Sequence, residues 1–391
     1  MLYMNDITSN SHTPTLRFPE FNGEWKECIL GDSFEERTEK NREDLPLLSL
    51  GEEGLVLQSD TDRKDNSNAD KSKYLRVSVG DIAYNTMRMW QGRCVYAGIE
   101  GIVSPAYTVC RPKEGIDSLF HYYLFKTKKM IDLFHQNSQG LVSDTLNLKY
   151  EAFSKIKYFL PPTVDEQKKI AACLSDMDDM IAAQGQKVNA LKAQKQGLMQ
   201  QLFPQNGETT PRLRFPGFTG DWEEKTFSDL CNTVTPPLKL QSRDYLKEGK
   251  YPVVDQSQDL ICGWTNDESG LISNNPVIIF GDHTCVLKYI TFPFVQGADG
   301  VKILKTVEGY WPQFVYQSFL ANPVNPDGYK RHFSDLKEKR FMFPKTLSEQ
   351  KAIADCLATL DSIITDESSK TDILKAYKKG LMQQLFPQHT I

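Results

Sequence analysis

The nine-residue peptide GLMQQLFPQ occurs twice in the chain, at residues 197–205 and again at residues 380–388. It ends a long internal repeat, which begins with TPTLRFPEFNGEW at residues 13–25 and with TPRLRFPGFTGDW at residues 210–222. Solenoids and propellers repeat every 20 to 50 residues or so, and a much longer period indicates a duplicated domain. The chain is therefore predicted to contain two copies of one unit and to have a bipartite function.

Each copy is a matching frame around an insert that differs between the copies. The frames begin 197 residues apart, whereas the Glu-Gln-Lys motif near their ends recurs after 183 residues, at 166–168 and 349–351. The difference, 197 − 183 = 14 residues, lies between residues 25 and 161 of the first copy and between residues 222 and 344 of the second. These inserts share little sequence, so we expect them to carry separate specificities.

The composition is that of an ordinary globular protein. With 391 residues, 40% hydrophobic and 25% charged, the chain is long enough for two domains. No apolar run is long enough to span a bilayer, and the polar N-terminus lacks the apolar stretch of a signal peptide. We expect a cytoplasmic protein with no membrane partner. The net charge of −5 attracts no polyanion overall, so a nucleic-acid surface would have to be a local patch.

No catalytic or metal site is predicted from the residues. The eight cysteines are scattered, without a C-x-x-C pair or histidines at ligand spacing, and free thiols are expected. The chain lacks a phosphate-binding P-loop, a G-x-G-x-x-G turn and a G-x-S-x-G nucleophile elbow. The pair Asp282-His283 has no evident nucleophile nearby, and a structural turn is the simpler interpretation. The chain is typical of a binding protein, with any chemistry held elsewhere.

Each copy ends in a predicted long helix, over residues 163–203 and 346–387. Both helices begin with a capping box, in which a threonine caps the helix and a glutamate three residues later returns to the cap. The pairs are Thr163 with Glu166 and Thr346 with Glu349. A proline ends each helix, at Pro204 and Pro387. At 1.5 Å per residue the first helix would be roughly 60 Å long.

Apolar residues follow a heptad along both helices, which predicts a coiled-coil seam. The seam residues are Ile170, Leu174, Met177, Ile181, Val188, Leu191, Leu198 and Leu202 in the first helix, and Ile353, Leu357, Leu360, Ile364, Leu374, Leu381 and Leu385 in the second. Polar residues interrupt both seams at matching positions: Gln184 and Glu367, then Lys195 and Lys378. Either they fix one antiparallel register for the pair, or they mark solvated ends and kinks.

The inserts combine short strands, turns and helical stretches. Residues 77–84 and 276–282 are typical of strands, whereas residues 118–134 and 311–320 are helical in pattern. A mixed α/β domain of the α+β class is therefore predicted for each insert. The polar run at residues 59–68 is either a flexible linker or a recognition loop.

Three stretches could contact nucleic acid, because arginine and lysine bind guanine edges or phosphates, whereas asparagine and glutamine bind adenine. Their candidate residues are Asn85, Arg88, Trp90, Gln91 and Arg93 in the first insert, and His283, Lys288, Tyr289, Tyr329, Lys330 and Arg331 in the second. The alternative is a solvated surface, and Trp90 could equally anchor its loop in the core. The sequence leaves both interpretations open.

The order of these motifs resembles the specificity subunit of type I restriction-modification enzymes. The resemblance rests on the repeated LRFP, the capped helix with Glu-Gln-Lys, the terminal GLMQQLFPQ, and two insert motifs, GDIAYN at residues 80–85 and IFGDH at residues 279–283. SPAY at residues 104–107 and GADG at residues 297–300 add to it. It covers nearly the whole chain.

The resemblance implies two pseudo-symmetric target recognition domains, separated by two long helices that form an antiparallel coiled coil. The implied boundaries are a flexible N-terminus at 1–12, recognition domains at 13–162 and 212–345, helices at 163–203 and 346–387, and a linker at 204–211. Each domain would recognise one half of an interrupted double-stranded DNA sequence, with half-sites about one helical turn, ~34 Å, apart.

The resemblance also implies partners and cofactors. The helices would dock two modification subunits, which methylate adenine with S-adenosylmethionine, and restriction subunits would add ATP- and magnesium-dependent translocation and cleavage. This chain would bind none of those cofactors and would catalyse nothing itself. The competing hypothesis from another class is a coiled-coil protein-interaction scaffold whose two modules do not bind DNA.

Overall fold

The computed structural model describes residues 3–4, 12–51, 54–61, 67–142, 145–205, 207–328 and 330–387. Most of the predicted flexible N-terminus, 1–12, and the centre of the polar run at 59–68 lie outside these ranges. The chain divides into two compact units: unit 1 is Met1–Gln184 with Lys370–Ile391, and unit 2 is Gly185–Ser369. Each unit therefore contains one half of each long helix.

Unit 1 is a mixed α+β domain. Its elements, in chain order, are β1 (Tyr3–Met4), β2 (Leu16–Arg17), β3 (Lys26–Ile29), α1 (Leu30–Ser33), β4 (Phe34–Glu36), β5 (Leu48–Gly51), β6 (Gly54–Leu57), β7 (Leu75–Val77), β8 (Ile82–Asn85), β9 (Cys94–Tyr96), β10 (Gly101–Val103), β11 (Tyr107–Pro112), α2 (Ser118–Phe125), α3 (Lys128–Asn137), α4 (Tyr150–Phe153), β12 (Lys157–Leu160) and the first half of α5 (Val164–Leu202). An antiparallel four-stranded sheet has the order β4-β11-β8-β9, and the pairs β1-β2, β3-β12, β5-β6 and β7-β10 are separate.

Unit 2 repeats this frame around an insert that is 14 residues shorter and has a different set of strands. Its elements are β13 (Glu223–Thr226), α6 (Phe227–Leu230), β14 (Cys231–Val234), β15 (Lys239–Leu240), β16 (Tyr251–Val254), β17 (Gly263–Thr265), β18 (Leu271–Ile272), β19 (Val277–Gly281), β20 (Leu287–Ile290), β21 (Phe294–Gly297), β22 (Val301–Thr306), α7 (Pro312–Ala321), α8 (Phe333–Glu338), β23 (Arg340–Phe343) and the first half of α9 (Leu347–Leu385). The sheet β14-β22-β19-β20 corresponds to β4-β11-β8-β9. A five-stranded sheet, β15-β21-β16-β17 with β18 on β21, has no counterpart among the described strands of unit 1.

The core of each unit lies between its four-stranded sheet and the helices that follow it. Aromatic rings fill both cores: Phe34, Phe120, Phe125, Phe134 and Phe153 in unit 1, and Phe280, Phe314, Phe319 and Phe343 in unit 2, all at most 1% exposed. The prediction of one helix over 118–134 is wrong in one respect, because the helix is interrupted at Lys126–Thr127. The Thr127 hydroxyl accepts a hydrogen bond from the Met130 N–H at 3.4 Å and so starts α3 as a new helix.

Both long helices are present, and the predicted fold class is confirmed. Each is 39 residues long, within one or two residues of the predicted bounds. In unit 1 the first half of α5 shares a core with the second half of α9, through Leu174 and Leu385 among others. In unit 2 the second half of α5 shares a core with the first half of α9, through Leu202 and Leu357 among others. The two helices therefore pair antiparallel within each unit.

Every residue of the predicted seam is buried or half-buried. The deepest are those that also contact a domain core, including Leu174, Leu202, Ile353, Leu357 and Leu385, all at most 1% exposed. Towards the middle of the helices, side chains such as Ile181 and Ile364 are only half-buried.

The polar interruptions of the seam are paired, which favours the register interpretation over solvated ends. The Lys195 ammonium contacts the Asp361 carboxylate at 2.6 Å in unit 2, and Lys378 contacts Asp178 in unit 1. These lysine side chains are only 13% and 18% exposed. Glu367 pairs with Lys187 at 3.0 Å. A charge buried in a seam favours the alignment that supplies its counter-ion, so each pair selects one register.

The two lysine–aspartate pairs occupy equivalent positions of the repeat, because Asp178 corresponds to Asp361 and Lys195 corresponds to Lys378. The lysine lies on α5 in one pair and on α9 in the other. Each aspartate also accepts a hydrogen bond from the insert of its own copy. The Tyr123 hydroxyl of α2 donates to Asp178 at 2.8 Å, and the Gln317 amide of α7 donates to Asp361 at 3.1 Å. A single carboxylate in each unit thus joins both long helices to the insert.

A buried clamp connects the start of the first copy to its helix. The Arg17 guanidinium donates to both carboxylate oxygens of Glu166 at 2.8 Å, and the Trp25 indole donates to the same carboxylate at 3.2 Å. Arg17 also donates to the carbonyl oxygens of Asn22 and Gly23, at 3.1 and 2.6 Å. Glu166 is completely buried, so this two-point pairing satisfies a charge that water cannot reach.

The second copy repeats the clamp with the same atoms. Arg214 donates to the two carboxylate oxygens of Glu349 at 2.7 and 2.9 Å, and Trp222 donates at 3.3 Å. The repeated LRFP, tryptophan and Glu-Gln motifs are therefore parts of one three-dimensional contact. Each threonine cap accepts from its glutamate's N–H, at 3.4 and 3.3 Å. The carboxylates, which the capping box assigns to the cap, accept from arginine and tryptophan instead.

The glutamine that follows each of these glutamates contacts the insert of its own copy. The Gln167 side-chain oxygen accepts from the Asp117 N–H at 2.9 Å, at the start of α2. Gln350 accepts from the Trp311 N–H at 2.8 Å, at the start of α7. The glutamate thus connects the start of each copy to the first turn of its long helix, and the adjacent glutamine connects a helix of the insert to the same turn.

Replacing Glu166 with glutamine leaves the Arg17 guanidinium buried without an anion. We expect the free energy of unfolding to fall by about 3–5 kcal/mol, the range seen when one partner of a buried ion pair is removed. Equilibrium guanidinium denaturation of the full chain measures this change.

The matched control is Glu151→Gln, which breaks the pair of Glu151 with Lys155, whose side chains are 87% and 70% exposed. This control should cost less than about 1 kcal/mol. Equal losses for the two variants would contradict a structural role for the clamp.

Candidate nucleic-acid interface

The first candidate stretch is a tight turn that follows β8. The Asn85 side chain accepts from the Met87 N–H at 3.0 Å, and the Trp90 indole donates to the Met87 carbonyl at 3.0 Å. The Trp90 ring also packs edge-on against His135 of α3, with ring centroids 5.7 Å apart. Trp90 is half-buried and anchors the turn, so the structure favours that interpretation over base stacking.

The remaining candidates of this turn have free polar groups. Gln91 and Arg93 are exposed and Arg88 is half-buried, and none of the three makes a side-chain hydrogen bond or ion pair to a described residue. The turn closes at Gly92, whose φ of 72° is left-handed, and a Cβ there would lie 2.9 Å from Ile131. Glycine therefore lets the turn lie directly on α3.

A second loop, which the sequence pattern does not indicate, lies beside this turn. The Leu148 N–H donates to the Thr86 carbonyl at 2.8 Å, and Gln139 and Asn147 form a bridge. Leu141 is fully exposed and Val142 is 61% exposed. The stretch has no basic residue before Lys149, so its sequence lacks the combination of basic and amide side chains that marks the other candidate stretches. The available signal was the position of this loop within the repeat. The loop precedes α4 in the first copy, just as Lys330 and Arg331 precede α8 in the second.

In unit 2 the candidate stretches come together. The His283 ring nitrogen Nδ1 lies 3.1 Å from the Lys330 carbonyl oxygen, and the His283 N–H donates to the Gln256 side chain at 3.2 Å. The Thr284 hydroxyl donates to the Gln256 carbonyl at 2.8 Å. Three loops therefore meet at one edge of the domain, although they are far apart in the sequence.

Asp282 organises these loops and is not placed as an acid or base. It is 2% exposed, and its carboxylate accepts from the Phe333 N–H at 2.9 Å, while its carbonyl accepts from the His332 N–H at 2.7 Å. The Lys302 ammonium lies 3.7 Å from the same carboxylate. These contacts agree with a structural turn at Asp282-His283.

Lys288 and Tyr289 have structural contacts. The Lys288 ammonium is 4% exposed and donates to the carbonyl oxygens of Asp255, at 2.8 Å, and Asp259. Burial lowers the pKa of this lysine and raises the pKa of Tyr289. The Tyr289 ring stacks on Tyr316, with centroids 5.5 Å apart. Lys288 therefore holds the 255–259 loop, whereas Tyr289 is half-buried against Tyr316.

The last candidates lie at the surface. Lys330 is exposed and close to two carboxylates, Asp335 at 3.4 Å and Asp327 at 3.9 Å. Arg331 is exposed and makes no side-chain contact of this kind to a described residue. Tyr329 lies outside the described residues. The DNA-contacting role of all eleven candidates stays a prediction, and the geometry favours Gln91, Arg93 and Arg331.

The described residues were compared with two further kinds of site, a metal-binding cluster and a membrane-spanning helix. Among those residues no group of three or more histidine, cysteine or acidic side chains could hold a metal ion. All eight cysteines are free thiols. None of the described helices has the length and apolar character that crossing a membrane requires.

The comparison with known proteins identifies the family. The family model for the type I restriction modification DNA specificity domain matches the chain twice, at residues 29–193 and 219–375. The chain therefore belongs to this family. Two curated relatives from Methanocaldococcus jannaschii are the type I restriction enzyme MjaVIII specificity subunit, 23% identical, and the putative MjaX specificity subunit, 25% identical. The matches cover 80% and 82% of this chain and 81% of each relative.

Solved structures agree on the fold. The S subunit of a type I restriction-modification system from M. genitalium matches with a TM-score of 0.62 and 15% identity, over 97% of this chain and all of the other. A chain from a study of type I complex assembly matches with a TM-score of 0.55 and 14% identity, over 94% and 99% of the two chains. The chain is a DNA-specificity subunit of the type I class, and the two matched domains are its recognition domains.

Lys288 and Arg331 should respond differently to substitution. Lys288→Met leaves the Asp255 and Asp259 carbonyls without their donor, so we expect faster amide hydrogen exchange across residues 255–262 and lower stability. Arg331→Gln should leave exchange and stability unchanged and weaken binding to target DNA. Hydrogen exchange by mass spectrometry and a DNA titration measure the two effects. An unchanged exchange rate in Lys288→Met would contradict the structural role.

Proposed function

We propose that each recognition domain reads one half of an interrupted DNA sequence, and that the paired helices set the spacer between the halves. The observation that carries this proposal is the contrast between frame and insert. The clamp and the lysine–aspartate pairs are repeated atom for atom, whereas the sheets and loops of the inserts differ. Two different readers on one repeated support fit a target with two unrelated halves.

The loop edge of each domain supports direct reading of DNA. In unit 1 the edge combines the turn at residues 85–93 with the loop that ends at Lys149, and in unit 2 it combines loops near Gln256, His283 and Lys330. These edges offer amide, guanidinium and ammonium groups, which match the groups on bases and phosphates. The net charge of −5 confines attraction for DNA to such local surfaces.

The helices are proposed to dock two modification subunits. A groove of about 420 Å³ in unit 1 is lined by Phe18, Cys173, Met177, Tyr377 and Leu381, among others, and Tyr377 is 58% exposed. Four of these five positions carry a similar residue in the other copy: Phe215, Cys356, Leu360 and Leu198. A repeated apolar set suits two copies of one partner, since such patches mark protein interfaces.

The remaining assignments follow from the family. The modification subunits would methylate adenine with S-adenosylmethionine, and restriction subunits would bind ATP and magnesium, so this chain would itself be non-catalytic. The complex would act in the cytoplasm, where the DNA is.

A domain exchange tests the division of labour. Residues 26–158 are replaced by the corresponding insert of a relative with a different target, which leaves Trp25 and Glu166 of the clamp in place. We expect the methylated sequence to change in one half only, as measured by methylome sequencing of cells that carry the hybrid with its modification subunit.

The matched control exchanges residues 223–341, the equivalent segment of the second copy. It should change the other half and leave the first intact. If either hybrid alters both halves, the recognition domains do not read independently and the proposal fails.

A further inference from the structure

Unit 1 contains a cleft that none of the eleven candidate residues lines. Its volume is about 590 Å³, and its walls come from β4 and the segment after it, from residues 73–75, from the Thr86–Met87 turn, from residues 105–108 and from the loop that leads into α4. Three of its lining residues are lysines: Lys40, Lys73 and Lys149. The cleft adjoins the predicted DNA-binding turn through Thr86 and Met87.

The three lysines are exposed, and none lies within ion-pair distance of a carboxylate of a described residue. Hydrogen bonds from Ser72 and, less strongly, the charge of Lys73 lower the pKa of Asp70, so this carboxylate offsets part of the lysine charge. The cleft also contains two carboxylates, Glu36 and Glu151, and Glu151 is already paired with Lys155 at 3.0 Å. With Glu36 and Asp70 counted against the three lysines, a local excess of one positive charge remains. In a chain with a net charge of −5, this excess marks a place that attracts an anion.

The neighbouring arginines show that this excess is local. Arg37 pairs with Asp81 at 2.7 Å, and Arg76 pairs with Glu39 and Glu100 at 2.9 and 2.5 Å. The arginines around the cleft are thus paired directly with carboxylates, whereas the three lysines that line it form no direct ion pair with a described residue.

One wall of the cleft is held in place before any ligand binds. The Asn147 amide donates to the Gln139 carbonyl at 3.2 Å, and the Leu148 N–H donates to the Thr86 carbonyl at 2.8 Å. Gly140 closes the loop with a φ of 158°, and a Cβ there would lie 2.7 Å from the Thr145 carbonyl oxygen. A pre-ordered wall lowers the entropy cost of binding.

We propose that this cleft binds the sugar-phosphate backbone of DNA beside the first half-site, with Lys40, Lys73 and Lys149 contacting phosphates. The inference rests on the proposed function. Lysine is a compact point charge suited to phosphate, whereas base reading uses groups of fixed geometry such as Gln91 and Arg93. Phosphate contacts position a domain and carry no direct sequence information. The cleft therefore sets affinity and register for the first domain, and the adjoining loops set its sequence.

The test uses the full chain with its modification subunit and a duplex that carries the sequence methylated in the host. Affinity is measured at several salt concentrations for the wild type and for the triple variant Lys40→Gln, Lys73→Gln, Lys149→Gln. Each lost phosphate contact reduces the slope of log affinity against log salt by about 0.9, so the triple variant should lose about 2.7. The methylated sequence should remain the same.

The control is a triple variant at exposed lysines of unit 1 that lie outside the cleft and outside the long helices, Lys26→Gln, Lys113→Gln, Lys128→Gln, and its slope should stay near the wild-type value. Discrimination at the second half-site reports that each variant is folded. A wild-type chain without sequence preference would refute the proposed function itself. A normal wild type with an unchanged slope in the cleft variant, or a cleft variant that methylates a different first half-site, would refute this inference alone.

Discussion

The fold depends on one buried contact, made twice, between an arginine, a tryptophan and a glutamate carboxylate. Glu166 and Glu349 lie in the first turn of the long helices, and their partners lie about 140 residues earlier in the chain. Each contact brings the two ends of an insert together. The segment between Trp25 and Glu166, like the segment between Trp222 and Glu349, begins and ends at the same contact. An uncompensated charge at this depth costs several kcal/mol, so the frame tolerates changes inside the insert better than changes in the clamp.

The same constraint separates the repeated frame from the inserts. Helix residues that meet in one unit, such as Lys378 with Asp178, have their counterparts in the other, Lys195 with Asp361, so one set of contacts serves both ends of the helix pair. The inserts are not required to match each other in this way. Unit 2 contains a second sheet where unit 1 has short two-stranded pairs. The frame elements of the two units nevertheless occur in the same order along the sequence.

Local sequence signals predicted the helices well and the tertiary contacts poorly. Threonine caps and terminal prolines are short-range features, so the helix bounds were accurate. The partners of Glu166 were assigned wrongly, because a capping box is a local pattern and a buried ion pair over 149 residues leaves no spacing signal. The recurrence of Arg17, Trp25 and Glu166 in the second copy was the available clue. At the candidate interface, composition could not separate the buried Lys288 from the exposed Arg331, nor find the cleft at Lys149, since burial and convergence are properties of the folded chain.

We propose that the two recognition domains read DNA independently and that the repeated frame sets the spacer between the two halves of the target. The most direct test is the methylome of the host with and without this gene. We expect one interrupted sequence, with two unrelated specific halves and a spacer of constant length and arbitrary composition, to be methylated only when the gene is present. A continuous target, a spacer of variable length, or an unchanged methylome in cells that express an active modification subunit would contradict it.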